Sequence, residues 1–547
     1  MLGEEEQILS RGQLVAARTP PLTGDAVGLC VALLLTILVG AALLMLFAQA
    51  GNADIGALLG SAYVWRILRF TLMQACLSTL LSVVFGMLVA RAFARETSFP
   101  GRRALLGLMS LPIVLPSLVA VFGIIAIYGQ NGWLARALMT VGVAAKPDIY
   151  GLGGVVLAHV FFNLPLAVRL LLPGWHSIPV ESWRLAAQLG MSGWSIFRLI
   201  EWPMLRRYLP HAAATIFMLC VGSFAIVLAL GGGPSAATFE VAVFEAIRFE
   251  FDPPKAAVLA LGGLALNLAC LALAQGAIGD AAIGSGWRTR EQDWGRRPLP
   301  ARLIDGALIG VAALLLASPV AATITDGVGG LGKSSLDWWL VARATLTSIG
   351  LAVPAALLTL LLALPMVLAE AARGGRKGRA AVLRGALILP IAVSPMALGL
   401  GCFLILRLVL DGTPRAILGI VLLNAIMVVP FAAAILRPAV ERARARHDHL
   451  CRALGVAGWS RWRLIDWPIL RPSIGTALAM AAAMALGDLI GVGLFGDAKI
   501  RNLTLLLYDQ LGAYRMGGAA VTAALLMLLI FMLYQIIERG VGGRAAP

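Results

Sequence analysis

The stretch 186-AAQLGMSGWSIFRLIEWPMLRR-207 returns 265 residues later as 451-CRALGVAGWSRWRLIDWPILRP-472. Gly190 falls on Gly455, Trp194 on Trp459, Ile200 on Ile465 and Pro203 on Pro468. In each copy a helical stretch, Glu181 to Leu189 or Asp448 to Leu454, runs into a glycine able to end a helix in the left-handed conformation. A short polar turn follows, and a second helix closes at Trp202-Pro203 or Trp467-Pro468. Each copy therefore reads as a compact helical hairpin, and two of them suit a docking surface for a twofold partner. The offset extends outward: His159 aligns with Asn424 and Pro165 with Pro430. Further upstream it grows, with Pro112 on Pro390 and Arg69 on Arg343, because the connection 129–150 is longer than its counterpart near 411–415.

The repeat lies within a chain of 547 residues, 60% hydrophobic and 13% charged, with mean hydropathy +0.89. Soluble domains carry about 25% charged residues, so a soluble core, disorder and a disulfide scaffold are excluded. Apolar runs of roughly 20 residues mark membrane helices. We place them near 26–49, 70–92, 104–128, 151–172, 209–231, 254–277, 302–324, 345–370, 384–409, 416–436, 473–494 and 519–537. The expected fold is an all-α polytopic membrane protein of about twelve helices, since a barrel would show short alternating strands instead. Two parallel six-helix halves follow: 1–280 with hairpin segment 173–208, a charged linker 281–301, and 302–547 with hairpin segment 438–472. Parallel duplication suits a transporter whose path runs along the pseudo-twofold axis.

The net charge of +16 is topological. With both termini inside, roughly 31 basic residues fall on the inner side and about 13 outside, as the positive-inside rule expects. Arg91, Arg95, Arg288, Arg290, Arg373, Arg376 and Arg461 belong to that inner rim. Nucleic acid is not expected as a partner, because no soluble domain offers a basic face. Glu4, Glu5 and Glu6 precede a first run long enough to span, so no cleavable signal is expected. The six cysteines form no C-x-x-C pair and read as small buried residues.

At the duplicated segments the sequence resembles the inner-membrane permeases of bacterial ABC importers, type I, whose coupling segment runs E-A-A, three residues, G, nine residues, I-x-L-P. Ala186, Gly190, Ile200 and Pro203 match in the first copy, and Gly455, Ile465 and Pro468 in the second. Arg184 and His449 stand where the family usually has Glu, Cys451 replaces the second Ala, and Trp202 and Trp467 replace Leu. The stretches 121-VFGIIAIYGQNGWLA-135, 156-VLAHVFFNLPLAVRLLL-172, 223–261 and 487-GDLIGVGLFG-496 resemble the fused two-half permeases for thiamine and thiamine pyrophosphate. The resemblance implies a periplasmic binding protein and two copies of a cytoplasmic ATPase that binds ATP and Mg. It also implies no cofactor or catalytic residue in this chain. Ferric-iron importers share the fused layout and are the nearest alternative.

Several residues invite a site of their own. The run 327-GVGGLGKS-334 fits the phosphate-cradling pattern G-x-x-x-x-G-K-[ST], but it follows a membrane span rather than a strand and reads as a flexible glycine loop. Asp488 is an acid within an apolar span, where ionised side chains cost roughly 2.5–3.5 kcal/mol. Its repeat partner is Ser223, so the halves set an acid opposite a hydroxyl. Asp488, Ser223, His159 and Asn424 are the expected pathway residues, with Asp488 suited to a cationic thiazolium. Asn163 reads as an interhelical hydrogen-bonding group. His447, Asp448 and His449 are too closely spaced for a metal set, and Glu240, Glu245, Glu250 and Asp252 read as a solvated acidic loop. A twelve-helix secondary transporter would be expected to hide carboxylates in several spans, whereas Asp488 stands nearly alone.

Overall fold

The computed structural model describes residues 23–143, 147–233, 236–277, 299–332, 336–372, 377–496 and 500–543. The acidic leader, most of the linker 281–301, Arg373, Arg376, and Lys333 and Ser334 of the glycine run lie outside the described residues. The protein is a multi-pass all-α membrane protein. Ten helices are long and apolar enough to cross a membrane among the described residues, eleven if one sharply bent pair counts as a span.

The principal helices are α1 Thr23–Ala50, α2 Ala62–Arg95, α3 Ser117–Tyr128, α4 Leu152–His176, α5 Val180–Gln188, α6 Trp202–Val221, α7 Ala225–Leu230, α8 Phe239–Arg248 and α9 Pro253–Ala277. The chain continues with α10 Leu299–Gly330, α11 Trp338–Glu370, α12 Lys377–Ala392, α13 Pro395–Val409, α14 Gly412–Ala453, α15 Trp467–Leu486, α16 Ile490–Phe495, α17 Leu503–Gly512 and α18 Met516–Gly542.

Four expected spans are not continuous. The run 104–128 breaks before α3, where Leu115 and Pro116 are extended. The run 384–409 bends by 96° between α12 and α13, where Ser394 caps α13 by accepting from the Ala397 N–H at 3.1 Å. Proline at 116 and 395 supplies no N–H to the preceding turn, and it pushes the residue before it out of the helical region. The runs 209–231 and 473–494 break at Gly222 and Gly487, which share the 265-residue register, and restart as α7 and α16.

Helix α1 packs on α11, α13 and α9, while α10 packs on α3, α2 and α18. The first helix of each repeat is thus lodged against helices of the other. Bare glycines permit this: Gly28 lies on Pro365 and Ala369, Gly401 on Ala42, and Gly123 on Pro319. In lipid no hydrophobic force drives helices together, so such close backbone approaches carry the packing through dispersion contacts. One apolar core runs through α1–α18.

Candidate functional site

Gly190 and Gly455 end their helices at φ +56° and +65°. The N–H groups of Met191 and Val456 donate back to the carbonyls of Ala186 and Cys451 at 3.0 and 2.9 Å. Gly190 and Gly455 donate to Ala187 and Arg452, completing a Schellman cap in each copy. After the turn, Phe197–Glu201 and Trp462–Asp466 wind as single π-helical turns in the same register. The wider winding carries the helix without a break into Trp202-Pro203 and Trp467-Pro468: the Trp202 and Trp467 N–H groups donate to the Phe197 and Trp462 carbonyls, five residues back, so each proline, which has no N–H to give, follows directly on the widened turn. Ala186 is buried, Ile200 and Ile465 are half-buried, and both glycines are exposed. The resulting knobs expose Leu185, Leu189, Trp194 and Leu199 in one copy and Leu450, Leu454, Trp459 and Leu464 in the other, each at the same offset. Trp194 is 69% exposed and Trp459 74%. Exposed apolar side chains also line the spans, as at Leu33, Leu80 and Leu361; what sets the knobs apart is that theirs recur at one register in both copies.

The knobs are fastened by ion pairs that the sequence reading did not single out. Glu201, fully buried, accepts from Arg91 Nε at 2.6 Å and Arg95 Nη2 at 3.3 Å. The Arg91 guanidinium also lies 5.0 Å from the Phe197 ring centroid. In the second knob Asp466 accepts from Arg461 Nε at 3.2 Å, and Arg461 Nη2 donates to Asp448 Oδ1 at 2.6 Å. The available signal was the pair of acids at one aligned position, Ile-Glu-Trp-Pro and Ile-Asp-Trp-Pro. A second difference precedes them. Helix α4 stops at His176 and Pro179 starts α5, whereas α14 runs unbroken for 42 residues to Ala453. Arg444 occupies the place of Pro179, so nothing there forbids the helix from continuing.

Both knobs lie at one end of the bundle. Asp305 near the start of α10 sits 4.0 Å from Arg95, beside the first knob. The far end of α10 packs antiparallel on the start of α18, Gly330 against Gly517 and Gly327 against Ala524. The end of α18 returns to the second knob, where Arg471 donates to the Val541 carbonyl at 2.5 Å. From Asp305 to Asp326 the rise along α10 is roughly 30 Å, close to the hydrocarbon thickness of a bilayer.

At the opposite end opens a cavity of about 1040 Å³. Its polar lining includes Arg136, Asp148, Tyr150, Asp326, Tyr508 and Tyr514. Trp133 Nε1 donates to Asp326 Oδ1 at 3.4 Å, and the Tyr150 N–H donates to Asp148 Oδ1 at 3.0 Å. Burial first, then the nearby Tyr514 and Asp148, pushes the Tyr150 hydroxyl above its ordinary pKa. Tyr514 holds φ +55°, a left-handed conformation that non-glycine residues adopt sparingly. Gly329 and Gly330 of the glycine run also line this cavity; they close α10 rather than follow a strand.

None of the four expected pathway residues lines the cavity. Asp488 and Asn424 meet each other: Asn424 Nδ2 donates to Asp488 Oδ2 at 2.9 Å. Asp488 also accepts from the N–H groups of Ile490 and Gly491 at 3.0 and 2.8 Å, and so secures the start of α16. Ser223 occupies the matching break before α7, its N–H donating to the Cys220 carbonyl. His159 is buried with Nδ1 3.1 Å from Ser78 Oγ, and Asn163 Nδ2 lies 3.3 Å from Cys220 Sγ. Those two groups join helices α4, α2 and α6. Glu240 departs from the expected solvated loop: it is buried on α8 and accepts from the Met396 N–H at 3.2 Å.

No family model matches the chain. The thiamine transport system permease protein of Brucella abortus is 42% identical over 536 residues, covering 98% of this chain and 98% of that protein. The protein of that description from Salmonella typhimurium is 41% identical over 542 residues, 97% of this chain and 99% of its own length. Its Escherichia coli counterpart is 41% identical over 508 residues, 91% and 93% of the two chains.

Proposed function

The chain belongs to the family of thiamine transport system permeases, and from that membership we propose that it forms the path by which an ATP-driven importer admits thiamine and its phosphates. A periplasmic binding protein delivers the substrate. Two copies of a cytoplasmic ATPase, binding ATP and Mg, dock on the two knobs. The chain lies in the bacterial inner membrane with knobs and termini on the cytoplasmic side, and residues 1–280 and 302–547 act as its two halves.

The observation that carries this reading is the pair of knobs at one end of the bundle, with exposed apolar side chains in one register. A secondary transporter has no use for such a pair. ATP-driven closure of the ATPase dimer moves the knobs, and the helices attached to them reopen the path. Ala186 packs the inside of the first knob, while Gly190 and Gly455 set the turn that shapes each docking face.

Uptake of labelled thiamine and of labelled ferric iron, in cells with and without the chain, tests the assignment. Thiamine uptake should depend on the chain and iron uptake should not. Loss of iron uptake alone overturns it. An ATPase subunit retained by the detergent-solubilised chain supports coupling, and thiamine uptake with no such subunit favours the secondary transporter.

A further inference from the structure

The connection after α3 is longer in the first repeat than in the second, and the cavity lies where that extra chain folds. Arg136, Asp148 and Tyr150 all come from it. The short second connection, Leu410 and Asp411, holds no tyrosine, and its Asp411 is exposed and pairs with Arg415 at 3.9 Å. The remaining polar wall comes from α10 with Asp326, from α17 with Tyr508, and from the turn before α18 with Tyr514. The repeat's one large insertion thus brings an arginine, a carboxylate and a tyrosine to face a second carboxylate and two more tyrosines.

That combination has a definite chemistry. Tyrosine faces attract organic cations through the ring quadrupole, and a carboxylate adds the opposing charge. Asp326 is held in place by the Trp133 indole, and Asp148 by the Tyr150 backbone. The cavity is at the upper end of the usual range for small-molecule sites, roughly 300–1,000 Å³. Its glycines, Gly129, Gly132, Gly232, Gly233, Gly329 and Gly330, bring backbone within reach of a ligand without side-chain bulk.

We propose that this cavity is a receiving site for an aromatic organic cation, with Tyr150, Tyr508 and Tyr514 flanking the ring, Asp148 and Asp326 balancing its charge, and Arg136 contacting phosphate when the substrate carries it. The inference rests on the importer reading above and deepens it. It places substrate recognition at the end of the bundle opposite the knobs, away from Asp488.

The test uses the full chain purified with its ATPase. Labelled thiamine, labelled thiamine pyrophosphate and the neutral aminopyrimidine fragment of thiamine are dialysed to equilibrium against the wild-type complex and against Asp326→Asn, Tyr150→Ala and Arg136→Ala. The wild type should bind thiamine saturably and the fragment at least tenfold more weakly. Asp326→Asn and Tyr150→Ala should each lose thiamine binding tenfold or more. Arg136→Ala should lose the pyrophosphate form selectively. Retention of the ATPase on purification distinguishes an intact variant from a misfolded one, and Asp326→Glu should recover part of the binding. Fragment binding as tight as thiamine, or wild-type affinity in both Asp326→Asn and Tyr150→Ala, overturns the proposal. Uptake by cells separates this from the importer reading: chain-dependent thiamine uptake with no saturable binding in the cavity rejects the cavity alone, and absence of uptake rejects the importer.

Discussion

In the first knob Glu201 reaches 110 residues back along the chain to Arg91 on α2, whereas its counterpart Asp466 reaches only five residues, to Arg461. The surrounding helices explain the contrast. Pro179 interrupts the chain between α4 and α5, so the first knob has no continuous helical link to α4 and is tied to α2 instead. In the second knob α14 runs from the membrane span through Asp448, and Arg461 fastens the knob to that helix. Meanwhile Glu370, at the end of the α2 counterpart α11, is taken by Arg384 and Arg437. The outward faces keep one register and the inward ties do not. On the docking proposed above, a shared partner would constrain the surface that it touches and leave each knob free to be tied into the bundle by a different route.

The largest way to break this contrast is Glu201→Ala. It strips a buried acid from two arginines, a change worth about 3 kcal/mol at the lower end of the range for broken buried pairs, since both arginines keep some solvent contact. ATP-driven uptake should fall steeply as the first knob comes loose from α2. Asp466→Ala should cost much less, because Arg461 keeps Asp448. Uptake normalised to membrane abundance distinguishes the two, and equal losses would refute separate routes.

The halves differ again where the fifth span breaks, with Asp488 in one and Ser223 in the other. Asp488→Asn removes an acceptor from a site that receives three N–H groups, at a cost of about 1–3 kcal/mol for the donor left unpaired. Thiamine uptake should drop while the ATPase remains bound. Ser223→Ala should have little effect, because among the described residues no such ring of donors surrounds it. Unchanged uptake by Asp488→Asn would remove Asp488 from any role in the path.

Much of this was legible in the sequence, and what was not has physical reasons. Apolar runs revealed the membrane helices, and the glycine spacing revealed both knobs. The breaks at Pro116, Ser394, Gly222 and Gly487 were hidden because apolar residues continue on both sides of them, so hydropathy cannot see where backbone hydrogen bonding stops. Arg91 and Arg95 read as part of the inner charge rim, since a tie spanning 110 residues leaves no local pattern. Asp488 stood out for its charge, yet its hydrogen bonds anchor α16. The cavity gathers side chains from separate segments, and only the longer connection at 129–150 hinted at it.

The glycines sharpen the comparison at smaller magnitude. Open space surrounds both Gly190 and Gly455, so a side chain there meets no neighbour and any cost is conformational. Valine at φ near +60° is strained by roughly 1–2 kcal/mol. Gly190→Val and Gly455→Val should each weaken ATPase retention in pull-down assays, with similar losses, because the turn is the same in both copies. A large difference between them would mean that the faces are not equivalent after all.

The smallest effect on the fold is expected at Trp459. Its ring is mostly exposed, so Trp459→Ala should change the unfolding free energy of the isolated permease by no more than about 0.5 kcal/mol, as for other surface substitutions, and leave its midpoint nearly unmoved. Trp194 is less free: its ring stacks on Phe197 at 5.7 Å between centroids and shares a small cleft with Arg91 and Arg95. Trp194→Ala should therefore loosen the first knob as well as weaken docking. If the faces meet equivalent partners, both variants lose ATPase affinity alike, and only Trp194→Ala also lowers the midpoint of the permease alone. Thermal unfolding with and without the ATPase separates the two contributions. A midpoint loss in Trp459→Ala as large as that in Trp194→Ala would show that the second knob is packed as the first one is, and would leave the two ties as variants of a single attachment.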